Sequence, residues 1–246
     1  MRFARKRRSH LGWLLLLPLV ASALVGLVFY RWLMTEGRRS ALVWEFLRNP
    51  QDHADWMIQA GRRCGHAPFL LPTSGFVGYL WGDSFRPGHL HQGVDIFGGE
   101  GLNQTAVVAA YSGYLTRQVD WKASLILRIP EDPLQPGRQI WTYYTHMADP
   151  EGNSFIVPQF PPGTSEVFVE AGSLLGFQGN YSGEPFNPTG IHLHFSIVLD
   201  DGQGHFRNEL EFHNTIDPSP YLGLPLNAEH NKGEIPRCTT LGLVFP

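Results

Sequence analysis

The chain reads IHLHFSIVL from residue 191 to residue 199, and this stretch is the strongest indication of its fold class. Polar and apolar residues alternate up to Phe195 and the run is then mainly apolar, a pattern typical of a β-strand. Because residues two apart in a strand share a face, His192 and His194 are predicted to project together while Leu193 enters the core. The apolar continuation favours an interior strand over an edge strand with two surface histidines.

Shorter runs of the same kind begin near residue 71 and are separated by glycine and proline. With 27 Gly, 19 Pro, 7 Trp and 16 Phe in 246 residues, the composition favours many short strands joined by turns over a helical bundle. We therefore predict a mostly β domain built as an antiparallel sheet or sandwich. The runs predicted as strands are residues 107–111, 114–119, 124–129, 140–146, 166–169, 174–177 and 192–199.

Two further histidine motifs precede the last of these strands. His91 and Asp95 are four residues apart, and a fully extended chain would separate them by about 13 Å, too far to bind one ion. The backbone between them is therefore predicted to bend, and Gly93 is the residue that permits a bend. His146 ends a predicted strand after two tyrosines and a threonine. Taken alone, a histidine in that position is ordinarily structural, and an H-x-x-x-D motif recurs by chance.

In this order, the three motifs resemble the signature of the lysostaphin/LytM-type zinc endopeptidases: H-x-x-x-D, an isolated histidine at a strand end, then H-x-H. Residues 169–176, 187–190 and 216–222 are similar to further motifs of that family. The resemblance covers roughly residues 71–222. It implies a lysostaphin-like fold and an enzyme that hydrolyses peptide cross-links of peptidoglycan.

The resemblance also implies a role for each of five residues. His91, Asp95 and His194 would bind one zinc ion per chain, and three protein ligands leave a fourth position for water, as in catalytic zinc sites. His192 and His146 would form the catalytic pair. One of them would move a proton from water to the leaving amine while the other hydrogen-bonds the developing oxyanion, with His192 favoured as the base.

Three alternatives stay open at this point. His89 lies two residues from His91 and is a substitute ligand, although the H-x-x-x-D spacing selects His91. The protein is alternatively a non-catalytic scaffold that activates a separate cell-wall amidase, or a carbohydrate-binding or structural β domain whose histidines are incidental. The sequence contains neither H-E-x-x-H nor G-x-S-x-G, which excludes those patterns of zinc peptidase and serine hydrolase.

Residues 1–10 carry five basic side chains and precede an uncharged run from Leu11 to Tyr30. Twenty residues give about 30 Å of helix, which matches a hydrocarbon core. We therefore predict a cytoplasmic segment at 1–10, a single-pass signal anchor at 11–34 and an extracytoplasmic remainder. A signal peptide cleaved near residues 21–23, an A-x-A-like site, is the alternative.

The exported part is predicted to contain a helical linker (35–70, interrupted at Asn49-Pro50), a peptidase domain (71–222) and a tail (223–246). Residues 35–246 hold 13 basic and 22 acidic residues, a net charge of −9, which argues against nucleic acid as a partner. An oxidising exterior would permit a disulfide between Cys64 and Cys238, with two unpaired thiols as the alternative.

Overall fold

The structure, a computed structural model, describes residues 11–84, 88–231 and 233–238, without the side chains of residues 11–17, 19 and 28–38. It divides into two units, Met1–Arg38 and Arg39–Pro246, and the site described below lies in the second. The elements in chain order are α1 (Leu11–Arg48), a 3₁₀ helix (Pro50–Trp56), β1 (Met57–Ile58), β2 (Gly75–Tyr79), β3 (Val94–Phe97), β4 (Ala106–Val108), β5 (Gly113–Thr116), β6 (Leu125–Ile129), β7 (Ile140–Thr145), β8 (Val167–Val169), β9 (Leu174–Phe177), β10 (Leu193–Leu199), a second 3₁₀ helix (Phe212–Asn214), β11 (Thr215–Ile216) and α2 (Ser219–Leu222).

Antiparallel pairing dominates the second unit. In the described part of the chain, nine strands form one sheet in the order β1-β2-β3-β10-β7-β6-β5-β8, with β11 paired to β10. The strands β4 and β9 form a separate two-stranded sheet. The predicted antiparallel β architecture is confirmed, and so is the interior position of β10, which lies between β3 and β7.

Alternation along β10 and β3 creates two different faces. Leu193 and Phe195 of β10 are fully buried in the main apolar core, together with Val94 of β3. The same alternation turns His194 and Asp95 to the opposite face. Since the two residues are directly paired across the strands, core packing brings an imidazole and a carboxylate side by side.

The strand β3 is not among the predicted strands, because its four residues are interrupted by an aspartate and follow directly on a glycine. The bend predicted between His91 and Asp95 is complete before Val94, since Asp95 lies inside β3 and His91 lies in the loop before it. The backbone of Gly93 does not adopt a left-handed conformation. The bend itself falls at Gly93, as predicted, and a further requirement for glycine at this position is described below.

The predicted linker, residues 35–70, is helical only in its first part. The helix α1 ends at Arg48 and a 3₁₀ helix begins at Pro50, as expected because proline cannot continue an α-helix. The strand β1 then begins at Met57 and pairs with β2. Val43 and Phe46, at the end of α1, are buried against aromatic residues of β2 and β3, so this segment is packed on the domain.

Most side chains of the predicted membrane anchor, residues 11–34, lie outside the described part of the chain. The predicted cytoplasmic segment, residues 1–10, lies wholly outside it. None of the helices in the described part of the chain combines the length and the apolar character that a membrane crossing needs.

A disulfide joins Cys64 to Cys238, across 174 positions of sequence. Of the two alternatives left open by the sequence, the bridged one is therefore observed. The bond ties the tail to the segment that precedes β2. Leu224 and Leu226, at the start of the tail, are buried in the main core, so the tail is fixed at two places.

Candidate metal centre

Three predicted ligands, His91, Asp95 and His194, converge at one end of the β3–β10 pair. The Nε2 atom of His91 lies 3.1 Å from Oδ1 of Asp95 and 3.0 Å from Nδ1 of His194. The same Asp95 oxygen lies 2.9 Å from Nδ1 of His194. The three ligand atoms therefore form a nearly equilateral triangle, as predicted for a shared ion.

The size and chemistry of this triangle fit a tetrahedral metal ion. With bonds of about 2.0–2.1 Å, such an ion separates its ligand atoms by roughly 3.3–3.4 Å, close to the observed spacing. Two imidazole nitrogens and a carboxylate oxygen are also ligands that Zn²⁺ prefers. Lone pairs this close repel one another, and only a shared cation or protons relieves that repulsion. His89 lines the same cleft but is not part of the close group found among the described residues.

A hydrogen bond fixes the orientation of His91. Its Nδ1 atom lies 2.9 Å from the carbonyl oxygen of Leu80, so Nδ1 carries the proton and Nε2 presents its lone pair to the other ligands. Asp83 holds the turn that supplies this carbonyl: its Oδ2 atom accepts from the Leu80 N–H at 2.5 Å, and its own carbonyl accepts from the His91 N–H at 2.7 Å. Metal-binding histidines are commonly oriented by such a second partner.

Gly93 lets β10 approach the loop that carries His91. A Cβ atom at residue 93 would lie 2.3 Å from the carbonyl oxygen of Phe195 and 2.8 Å from Nε2 of His194. Neither distance is compatible with a non-bonded contact, and the first neighbour is backbone. Gly93 therefore stands at the bend predicted from the sequence and is also required for this close approach.

The two predicted catalytic histidines lie beside the ligands and beside each other. The Nε2 atom of His192 is 3.5 Å from Oδ1 of Asp95, and the ring centroids of His192 and His146 are 4.5 Å apart. The Nδ1 atom of His192 is 2.7 Å from the Gly190 carbonyl oxygen, and that of His146 is 2.6 Å from the Tyr181 carbonyl oxygen. Both imidazoles therefore carry their proton on Nδ1 when neutral, which leaves Nε2 as an acceptor.

Electrostatics favour an ionised Asp95 and neutral imidazoles at His194 and His146. Burial opposes ionisation of Asp95, but the neighbouring imidazoles, first of all His91, hold its pKa well below the ordinary value. Burial also opposes charging of His91, and there the Asp95 carboxylate raises the pKa. Burial lowers the pKa of His194. Burial and the adjacent His192 lower the pKa of His146 to about 3, so His146 is neutral at neutral pH.

The cluster opens into a cleft of about 430 Å³. Its walls include four residues that the sequence motifs do not single out as site residues: Gln92, Thr189, Glu209 and Leu210. Glu209 and Leu210 belong to the loop after β10, which has no recognisable motif, so no sequence signal placed them here. The other walls are His89, Tyr143, Thr145 and the five predicted site residues.

Of the four aromatic residues Trp81, Tyr143, Tyr144 and Tyr181, only Tyr143 lines the cleft. Tyr144 is buried in the core, where its hydroxyl accepts from the Ala110 N–H. Trp81 packs against Phe212. The side chain of Tyr181 is buried elsewhere, and its contribution is the carbonyl that orients His146.

No family model matches the chain, and no curated protein matches it. Among solved structures, the catalytic domain of lysostaphin from Staphylococcus simulans is similar, with 22% identity over 60% of this chain and 88% of that chain and a TM-score of 0.36. The longer lysostaphin from the same organism gives 22% identity over 64% and 52% with a TM-score of 0.39.

A protein from Pseudomonas aeruginosa assigned to peptidase M23 gives 17% identity over 78% of this chain and 62% of that chain, with a TM-score of 0.37. These neighbours are lysostaphin-type and M23-type peptidases, the family to which the sequence motifs are similar. At these identities and TM-scores, the likeness by itself assigns neither an activity nor a metal to this chain.

Proposed function

We propose that this chain is a zinc-dependent endopeptidase that hydrolyses peptide cross-links of peptidoglycan. The observation that carries the proposal is the convergence of His91, Asp95 and His194, whose ligand atoms lie within 3.1 Å of one another. Two further imidazoles with free Nε2 lone pairs adjoin that group. The substrate class rests on the resemblance of residues 71–222 to the lysostaphin/LytM-type peptidases.

Zn²⁺ held by this donor set supplies Lewis acidity towards a peptide carbonyl and towards the attacking water. The protein residues must then move protons. His192 is the better placed base, since its Nε2 atom lies closest to the ligand group and its Nδ1–H is fixed on the Gly190 carbonyl. In the proposed reaction, Nε2 of His192 accepts a proton from water and returns it to the leaving amine.

His146 is the second proton acceptor in this proposal. The role expected from the sequence, a hydrogen bond donated to the developing oxyanion, requires a proton on Nε2, because Nδ1 already donates to the Tyr181 carbonyl. Burial and His192 hold the pKa of His146 at about 3, and a cation in the site opposes protonation further. We therefore infer that neutral His146 accepts a hydrogen bond from the attacking water or the leaving amine.

The scaffold alternative is disfavoured by the same geometry. A protein that acts only by binding an amidase has no use for three ligands in register and two imidazoles with fixed tautomers. All five positions are filled and brought together here.

We also infer an extracytoplasmic location, with the anchor at residues 11–34 in the membrane. The Cys64–Cys238 disulfide supports an oxidising compartment, since such bonds are rare where thiols are kept reduced. The basic cluster at residues 1–10 supports a cytoplasmic N-terminus.

The test is digestion of purified peptidoglycan by the full chain in detergent, followed by mass spectrometry of the released fragments. We expect soluble fragments with new peptide termini, loss of this release on chelation and its return on addition of zinc. His194→Ala abolishes the release, while His213→Ala, an exposed histidine outside the cleft, is the matched control and leaves it unchanged. Full digestion by His194→Ala would contradict the proposal.

A further inference from the structure

The cleft carries one carboxyl group that belongs neither to the metal ligands nor to the proton-transfer pair. Glu209 lies in the loop between β10 and the second 3₁₀ helix, is partly buried, and lines the cleft together with Tyr143. Burial raises its pKa, against a hydrogen bond from its own backbone N–H. Among the described residues, no other residue pairs with its carboxylate.

The neighbouring polar groups do not supply the missing donor. Burial raises the pKa of Tyr143 to about 12, so its hydroxyl keeps its proton and donates it to Oγ of Ser124 at 3.0 Å. The amide of Gln92 donates to the Leu210 carbonyl at 2.9 Å. No lysine or arginine of the described residues lines the cleft. The wall around Glu209 therefore presents a negative charge that no cation of the described residues neutralises.

A carboxylate in this position is costly in the unliganded protein. Partial burial removes part of its hydration, and no cation of the described chain compensates for it. Uncompensated groups of this kind concentrate at binding sites, where the ligand provides the partner. The partner that fits best is a cation, because a charge-assisted hydrogen bond is roughly twice as strong as a neutral one.

We propose that Glu209 binds a protonated amine of the peptide substrate, so that the enzyme selects cross-links with a free ammonium group near the bond to be cut. This inference rests on the proposed function and names the substrate feature that the cleft recognises. An ammonium offers three N–H donors. Two of these donors can be accepted by the two carboxylate oxygens of Glu209, so the wall and the ligand are complementary in sign.

The test compares free and blocked amines on otherwise identical ligands. Peptide stems are released from peptidoglycan with a muramidase, still attached to their sugars, so that no new amine is created. One half is then N-acetylated, which removes the charge and keeps every peptide bond. Affinities for both forms are measured by calorimetry on the zinc-loaded full chain carrying His192→Ala, which prevents turnover. We expect the native stems to bind about tenfold more tightly than the acetylated ones.

Glu209→Gln in the same background is expected to bind both forms equally, at the affinity of the acetylated stems. The matched control is Glu211→Gln, two residues further along and exposed outside the cleft, which keeps the tenfold preference. Equal binding of both forms when Glu209 is intact, or an undiminished preference in Glu209→Gln, would overturn the inference. Circular dichroism checks that each variant is folded.

A parallel digestion separates this inference from the proposed function. If the chain with an intact His192 releases no fragments from native peptidoglycan while the binding preference is present, the peptidase proposal fails and the amine site stands. If fragments are released at equal rates from native and acetylated peptidoglycan, the peptidase proposal stands and the amine site fails.

Discussion

Arg117 adjoins the proline-rich loop of residues 149–164 and Asp95 lies at the metal centre, and both side chains are buried. The guanidinium of Arg117 donates to the carbonyls of Trp121, Phe160 and Lys122 and to the Ser154 hydroxyl, at 2.9–3.2 Å. These bonds use four of its five N–H donors. The buried guanidinium of Arg117 is therefore hydrogen-bonded almost completely by acceptors of the chain itself.

The charge of Asp95 is compensated differently, because its neighbours are imidazoles that can each bind either a proton or a metal. His91, His192 and His194 place ring nitrogens within 3.5 Å of its Oδ1 atom. The negative charge of Asp95 is therefore fully compensated only when these imidazoles also bind a proton or share a cation with it. A buried charge whose partners are fixed donors holds a loop in place, whereas one whose partners are lone pairs forms a group that could hold a metal ion.

The largest effect is expected from Asp95→Asn. The substitution keeps the size of the side chain and removes its charge, so the donor set loses the anion that favours a divalent cation. We expect loss of stoichiometric zinc and a fall in peptidoglycan hydrolysis of roughly a thousandfold. Metal analysis and fragment release measure the two quantities. Retention of one zinc per chain with normal turnover would show that Asp95 is not a ligand.

Arg117→Met should have the opposite profile. The acceptors of Arg117 are left without their donor, and we expect the free energy of unfolding to fall by about 3 kcal/mol. The zinc content and the turnover number of the folded fraction should not change, since no metal-centre residue contacts Arg117. Denaturant titration and metal analysis on one sample check both points. A loss of zinc in folded Arg117→Met would show that Arg117 also supports zinc binding, and would contradict the contrast drawn between Arg117 and Asp95.

Gly93→Ala tests how closely β10 must approach the His91 loop. Because the added Cβ atom would lie 2.3 Å from the Phe195 carbonyl, we expect a destabilisation of about 1–3 kcal/mol together with weaker zinc binding. Gly190→Ala is the matched control, since its Cβ atom would meet nothing nearer than 3.5 Å. Thermal melts with and without zinc measure the effect, and equal behaviour of the two variants would contradict the steric argument.

The sequence was sufficient to predict the elements whose pattern is local. The alternation in residues 192–199 predicts both the interior strand and the shared face of His192 and His194, because a strand's period is set by its own backbone. The histidine and aspartate ligands are predicted through the resemblance of their motifs to the lysostaphin/LytM-type signature. The same reasoning predicted the bend at Gly93 but not its close contact, since that contact is with Phe195 and His194, which are distant in sequence.

The parts that could not be predicted depend on contacts between distant segments. The carbonyls that fix the histidine tautomers come from Leu80, Tyr181 and Gly190, and a backbone oxygen leaves no signature in a sequence. Glu209 is one glutamate among many until the fold places it on the cleft wall. Its chemistry follows from which partners are missing around it, and only the packed structure shows that.

The smallest effect is expected at Asp83, whose hydrogen bonds reach the metal centre through the backbone. Its carboxylate holds the Leu80 N–H, and the Leu80 carbonyl orients His91. Asp83→Ala should therefore weaken zinc binding by about tenfold and leave turnover at saturating zinc unchanged. Competition with a chelator measures the affinity. Asp83→Asn keeps an acceptor oxygen and should retain most of the affinity, so an equal loss in both variants would mean that the charge of Asp83, rather than its hydrogen bond, supports the ligand.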